Sequence, residues 1–226
     1  MPTTQSTVVT PLPAPGPAEG PRLLRSLTWA MARLARWRLL LGSGAVFVAF
    51  AAVFFASSAP FAIPRVETTC GQAPPDVRFT SSAADIMRFL DACGPVGREA
   101  YRHLQVADLL YPAVFGFFMA TCLALVVSRL APARPGLLVV AALPLLGAAF
   151  DYLENICAWL AMTAYPVAAA TNSLLGLASA AKNITFWTAG VLLLAALGMR
   201  GAAGVIRARR PPRADANAGP TGGGRR

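Results

Sequence analysis

The chain has 226 residues, of which 56% are hydrophobic and 13% charged, with a mean hydropathy of +0.55. Soluble domains carry nearer one-quarter charged residues, so this composition excludes an ordinary water-soluble domain, a collagen, a disulfide-dense toxin and a wholly disordered chain. Twenty basic against ten acidic residues give a net charge of +10, a balance that on a soluble chain would point to nucleic acid. Here the arginines flank apolar runs: Arg22, Arg25, Arg33, Arg36 and Arg38 precede the first, and seven arginines from Arg200 onward follow the last. The lipid bilayer is the expected partner, and no nucleic acid is expected.

Residues 1–21 hold six prolines among small polar residues, a composition that cannot bury a core and predicts a disordered tail. In residues 22–38, Leu23, Leu24, Leu27, Met31 and Leu34 recur at helical spacing with arginines between them. This predicts a basic amphipathic juxtamembrane helix at the inner headgroup surface. An extension of the first spanning helix is an equal alternative, because no breaker separates Trp37 from Leu39.

Crossing a hydrocarbon core of about 30 Å takes about 20 apolar helical residues. Four segments qualify, at 39–57, 108–130, 136–165 and 173–199. The first resembles a signal peptide ending at Ser57-Ser58-Ala59, but its basic leader is far too long, so a retained anchor is expected.

The connection at 58–107, with about 49 residues of loop from Ala59, is long enough to fold over the bundle. Ser81 or Ser82 is placed to cap a short helix through Ala92 that Gly94 ends. Cys70 and Cys93 flank that helix, and a bridge between them is expected on the extracytoplasmic side, where disulfides persist. It would close a loop whose constraint is worth about 3 kcal/mol. No metal is expected, since His103 is the only histidine. Cys122 and Cys157 fall inside spans and read as packing residues. The short links at 131–135 and 166–172 make the last three spans consecutive antiparallel neighbours, and residues 200–226 read as a second basic, disordered tail.

The expected fold is therefore an all-α integral membrane protein, a four-helix antiparallel bundle with both termini cytoplasmic. Fourteen basic residues would then lie inside and five outside, with Lys182 in a span, in line with the positive-inside rule.

Ionisable residues within spans are costly and usually face a bundle interior or a cavity. Asp108 opens the second segment, Asp151, Glu154 and Asn155 lie in the third, and Lys182 and Asn183 in the fourth. At about 1.5 Å rise per residue, Asp151 and Lys182 differ in depth by about 5 Å, a gap that a snorkelling lysine can span. Asp151, Glu154 and Asn155 share a sector with Pro144, Gly147, Ala148 and Ala158, and Lys182 shares its face with Ala178, Ser179 and Thr185. Small residues on both faces predict close pairing of these helices, with Pro144 kinking the third below its acids. Two or three carboxylates facing one ammonium leave a net negative charge, which favours a shifted proton or a bound cation. The lone lysine among nineteen arginines is also the basic type able to lose its proton when buried.

Three stretches are familiar together: Gly94-Pro95-Val96-Gly97-Arg98 followed by Tyr101, then Asp108-Leu109-Leu110-Tyr111-Pro112, then Asp151-Tyr152-Leu153-Glu154-Asn155. Over roughly residues 40–200 the chain resembles a group of uncharacterised small bacterial membrane proteins with four predicted helices. The resemblance implies the fold and brings no activity, substrate or cofactor with it.

The leading expectation is a bacterial inner-membrane protein whose polar cluster organises the bundle, a homo-oligomer or a membrane partner, with no catalytic residue and no cofactor. One alternative is a small proton- or cation-coupled carrier with Glu154 and Lys182 as the titrating pair. The other is an intramembrane enzyme acting on a lipid or isoprenoid, with Asp151 or Glu154 as general acid or base and Asn155 and Asn183 as orienters. A cavity beside the cluster favours the latter two, and a dry packed contact favours the first.

Overall fold

A computed structural model gives the fold and describes residues 22–208. The tail expected at 1–21 and most of the one expected at 200–226 lie outside the described residues. The elements are α1 (Arg22–Leu34), α2 (Trp37–Ala56), α3 (Ile63–Cys70), a 3-10 turn at Pro75–Val77, α4 (Ala83–Ala107), α5 (Tyr111–Leu130), a 3-10 stretch at Pro135–Ala142, α6 (Leu143–Ala164) and α7 (Asn172–Ala208). No strand occurs among the described residues. Four helical stretches are long and apolar enough to cross a membrane: Trp37–Ala56, Ala83–Leu130, Pro135–Ala164 and Asn172–Gly204. Within the second of these, α5 has no charge before Arg129, whereas α4 carries Asp85, Arg88, Asp91, Arg98, Glu99 and Arg102.

The extension of the first span towards the N-terminus is interrupted. Arg36 adopts an extended conformation, with φ −125° and ψ 126°, so α1 is a separate helix. Its Met31 packs with Leu123 and Leu138, closing the end of the bundle opposite the 58–107 connection. The apolar stripe read from the sequence is therefore partly used for protein packing.

The 58–107 connection is more helical than expected. Ser82 caps α4, accepting from the Asp85 amide while the Asp85 carboxylate accepts from the Ser82 amide, the reciprocal pattern of a capping box. Gly94 has φ 58°, a conformation cheap only for glycine, and it ends the first half of α4 as predicted. The chain then turns helical again, because Pro95 supplies the φ of a helix start and lacks only an amide that would be unpaired there. Arg98 donates to the Leu90 carbonyl across this kink, at 2.9 Å. Cys70 and Cys93 are joined in a disulfide, while Cys122 and Cys157 are free thiols.

Two further boundaries differ from expectation. Pro144 does not kink the third span; it sits in the first turn of α6, which follows a 3-10 stretch. Proline is accommodated there because a first-turn amide has no helical acceptor. The last helix continues past Met199 to Ala208, since no proline interrupts it before Pro211.

Helix directions follow from contacts. Phe47 stacks on Phe118 and Phe54 on Tyr111, so α2 and α5 run in opposite directions. Gly147 of α6 lies against Phe186 and Thr185 of α7, and Ala158 and Ala178 are buried, so the small-residue faces read from the sequence do meet. The core at the connection end joins Phe54 of α2, Val66 of α3, Phe89 and Leu104 of α4, Cys157 of α6 and Leu175 of α7. The connection is thus packed onto the bundle as a cap.

The tightest approach of that cap is at Gly176, where a Cβ would fall 2.0 Å from the Ser81 carbonyl oxygen. Replacing Gly176 by Ala forces backbone apart and is expected to cost about 1–3 kcal/mol. Gly190→Ala, where a Cβ meets nothing within 4 Å, serves as the matched control. Thermal unfolding in detergent should show a lowered midpoint for the first variant and not for the second.

Candidate functional site

Lys182 is the centre of the site. An ammonium has three N–H donors, and here each finds an acceptor: the Asp151 carboxylate at 3.1 Å, the Asp76 backbone carbonyl at 3.0 Å, and the Glu154 carboxylate. Glu154 is fully buried, with 0% exposure, and also accepts from the Ser179 hydroxyl one turn before Lys182 on α7. The predicted ion pair between the third and fourth spans is therefore present, and the 75–77 turn is its third participant.

The five-residue stretch from Asp151 to Asn155 grips three elements at once. Asp151 and Glu154 hold α7. The Tyr152 hydroxyl donates to the Leu109 carbonyl at 2.9 Å, and the Asn155 amide to the Asp108 carbonyl at 3.3 Å. Those two bonds fix the turn between α4 and α5. Asp108 is the C-cap of α4 rather than the opening residue of α5, so its carboxylate leaves from that turn. Asn183 does not bond the acids. Its amide donates to the Arg78, Phe79 and Ser179 carbonyls, and Thr80 donates to the Gly176 carbonyl, so segment 76–81 is laid along α7.

Asp76 is the residue that sequence reasoning missed. One carboxylate oxygen accepts from the Gln105 amide at 2.8 Å, while the other has no hydrogen-bond partner, nor do Gln105 Oε1 and Asn155 Oδ1. Burial pushes its carboxyl above the usual range, against the pull of the nearby Lys182 ammonium. In the sequence it is one of five acids in a polar connection, and nothing local marks it as the one that folds inward. Gln105 and Ser179, both fully buried, carry no signal beyond their type.

Beside this cluster lies a cavity of about 500 Å³, within the range of small-molecule sites. Its polar end is formed by Asp76, Asp108, Asp151, Lys182 and Asn183. Its walls are Phe54, Phe55 and Ile63 on one side, Tyr111, Phe115 and Met119 of α5 behind, and Phe186, Trp187, Gly190, Val191 and Leu194 of α7 on the other. From Lys182 to Leu194 the helix rises about 18 Å. α2 packs on α5 and α3, and α7 on α6, α5 and α4, so α2 and α7 flank α5 without forming a packed pair. Phe55, Trp187, Val191 and Leu194 are exposed along that gap.

Of the residues expected to cluster, Asp151 and Lys182 face the cavity, Glu154 and Asn155 lie behind it, Asp108 joins them from the α4–α5 turn, and Asn183 secures the cap. Comparison with protein-family models, curated proteins and solved structures finds no match for this chain.

Removing one partner of a buried ion pair leaves a charge without compensation and costs about 3–5 kcal/mol, whereas replacing both partners is far milder. Lys182→Met should therefore destabilise strongly, and Lys182→Met combined with Asp151→Asn and Glu154→Gln should recover much of the loss. Unfolding midpoints of the two variants in one detergent check this; a single variant as stable as the parent would contradict the assignment.

Proposed function

We propose that this is an integral protein of the bacterial inner membrane that binds an amphiphile in the groove between α2 and α7. The apolar portion lies along α5 and α7, and the polar end meets the Asp76, Asp108, Asp151 and Lys182 group. The observation that carries this reading is the cavity itself: an apolar channel about 18 Å long, headed by buried ionisable side chains and flanked by two helices that do not close over it. Intramembrane charges in such surroundings are functional candidates, and a lateral gap is the natural route for a molecule already dissolved in the bilayer.

With both ends of the chain cytoplasmic, the capped end faces the periplasm, where the Cys70–Cys93 bridge is chemically at home. The distribution of arginines supports that orientation. The groove then opens to the outer leaflet. Glu154 and Ser179, packed away from the cavity, keep the architectural role of the cluster with Lys182, while the cavity-lining Asp108 and Asp151 face the ligand.

A diazirine-bearing long-chain alcohol, added to the full chain in nanodiscs and photolysed, should label peptides containing Phe115–Met119 and Trp187–Leu194. Gly190→Trp fills open space in the groove and is expected to cut that labelling at least ten-fold with little change in unfolding midpoint. Equal labelling of parent and variant, or labelling confined to other helices, would refute the groove.

A further inference from the structure

Building on the groove reading, we infer that the polar end of the ligand is a protonated amine, so that the natural class of ligand is a long-chain or prenyl-like ammonium amphiphile. The donors and acceptors at the head of the cavity decide this. All three N–H groups of Lys182 are already bonded within the protein, so the ammonium has none left for a phosphate or carboxylate headgroup. The nearest arginine in sequence, Arg78, is turned to Gln72 and the Ala73 carbonyl.

Acceptors are in excess. Lys182 is in ion-pair contact with Asp151 and Glu154, and neither Asp76 nor Asp108 takes part in a salt bridge among the described residues. Both line the cavity and both are more than nine-tenths buried; Asp76 Oδ1 lacks a hydrogen-bond partner but is closed off from the cavity, as is the neighbouring Tyr101 hydroxyl, so Asp108 is the carboxylate that a ligand meets first. A buried carboxylate without a basic partner is costly, and a ligand that brings N–H donors and a positive charge removes that cost. A bare metal ion fits less well, because no three described His, Cys, Asp or Glu side chains converge closely enough to hold one. Of the aromatic side chains lining the same cavity, Trp187 is the most exposed, and an indole attracts an alkylammonium.

The test is competition against the diazirine alcohol in zwitterionic nanodiscs at pH 7, using an alkylamine, the alcohol and the alkyl phosphate of one chain length. The amine is expected to displace the probe at a concentration at least ten-fold below the alcohol, and the phosphate to be the weakest. Asp108→Asn should remove most of the amine's advantage, read as the ratio of the amine and alcohol concentrations that displace the probe. Asp76→Asn provides the same readout if the first variant does not fold, and the parent series requires no variant. Equal displacement by amine and alcohol, with Gly190→Trp still blocking the probe, would overturn the ammonium assignment while the groove stands. A phosphate that competes best would also overturn it. Absence of any labelling in the groove would remove both readings together.

Discussion

One ammonium in a low-dielectric interior decides how the rest of this molecule is arranged. Desolvating Lys182 is expensive, and the expense is offset only if good acceptors surround all of its donors. Two of those acceptors come from α6 and the third from the connection between α2 and α4. The requirement to saturate one side chain therefore ties together the two most closely packed helices and the cap. Remove the carbonyl of Asp76 from that set and a donor is orphaned, so the 75–77 turn is held against the bundle by the same constraint that pairs α6 with α7. The bonds from Asn183 and Thr80 to segment 76–81 extend this attachment along α7.

The same economy explains the density of polar residues from Asp151 to Asn155. On a helix, four of five consecutive positions cannot serve one neighbour, because 100° steps spread them around the axis. Here they serve different ones: α7 through Asp151 and Glu154, and the α4–α5 turn through Tyr152 and Asn155. Leu153, on the remaining side, packs against the core under the cap. A stretch that reads as an unusual concentration of cost in a membrane span is a junction at which each polar group has a separate partner.

Much of this was legible beforehand, and the reasons for success and failure are physical. Span positions follow from the number of apolar residues needed to cross a bilayer, and the meeting of Lys182 with Asp151 and Glu154 follows from helix rise and side-chain reach. Ser82 and Gly94 were readable because caps and positive φ demand particular residue types. Asp76 was not, because its role arises from where a 3-10 turn is docked, a tertiary fact with no local pattern. The restart of α4 at Pro95 was missed by treating Gly94 as an end when a following proline also marks a beginning. Pro144 was read as a kink for the converse reason, since the 3-10 stretch before it has no separate hydropathy signature and merges with the helix it precedes. The cavity had no sequence signal at all: it exists because α2 and α7 both lean on α5 and not on each other, and pairwise avoidance leaves no periodicity.

Architecture and binding need not compete for the same charges. Glu154 and Ser179 occupy the dry side of Lys182, where their hydrogen bonds fix helix packing, while Asp76 and Asp108 lie on the cavity side without a basic partner. Had the cluster served packing alone, electroneutrality would have been reached with one or two acids, and the surplus carboxylates would carry an unrelieved burial cost. The excess is confined to the face that lines the cavity. Holding the helices together through Lys182, Asp151 and Glu154 while a further acid, Asp108, lines the cavity separates the charges that fix helix packing from the one that a membrane-soluble ligand would meet.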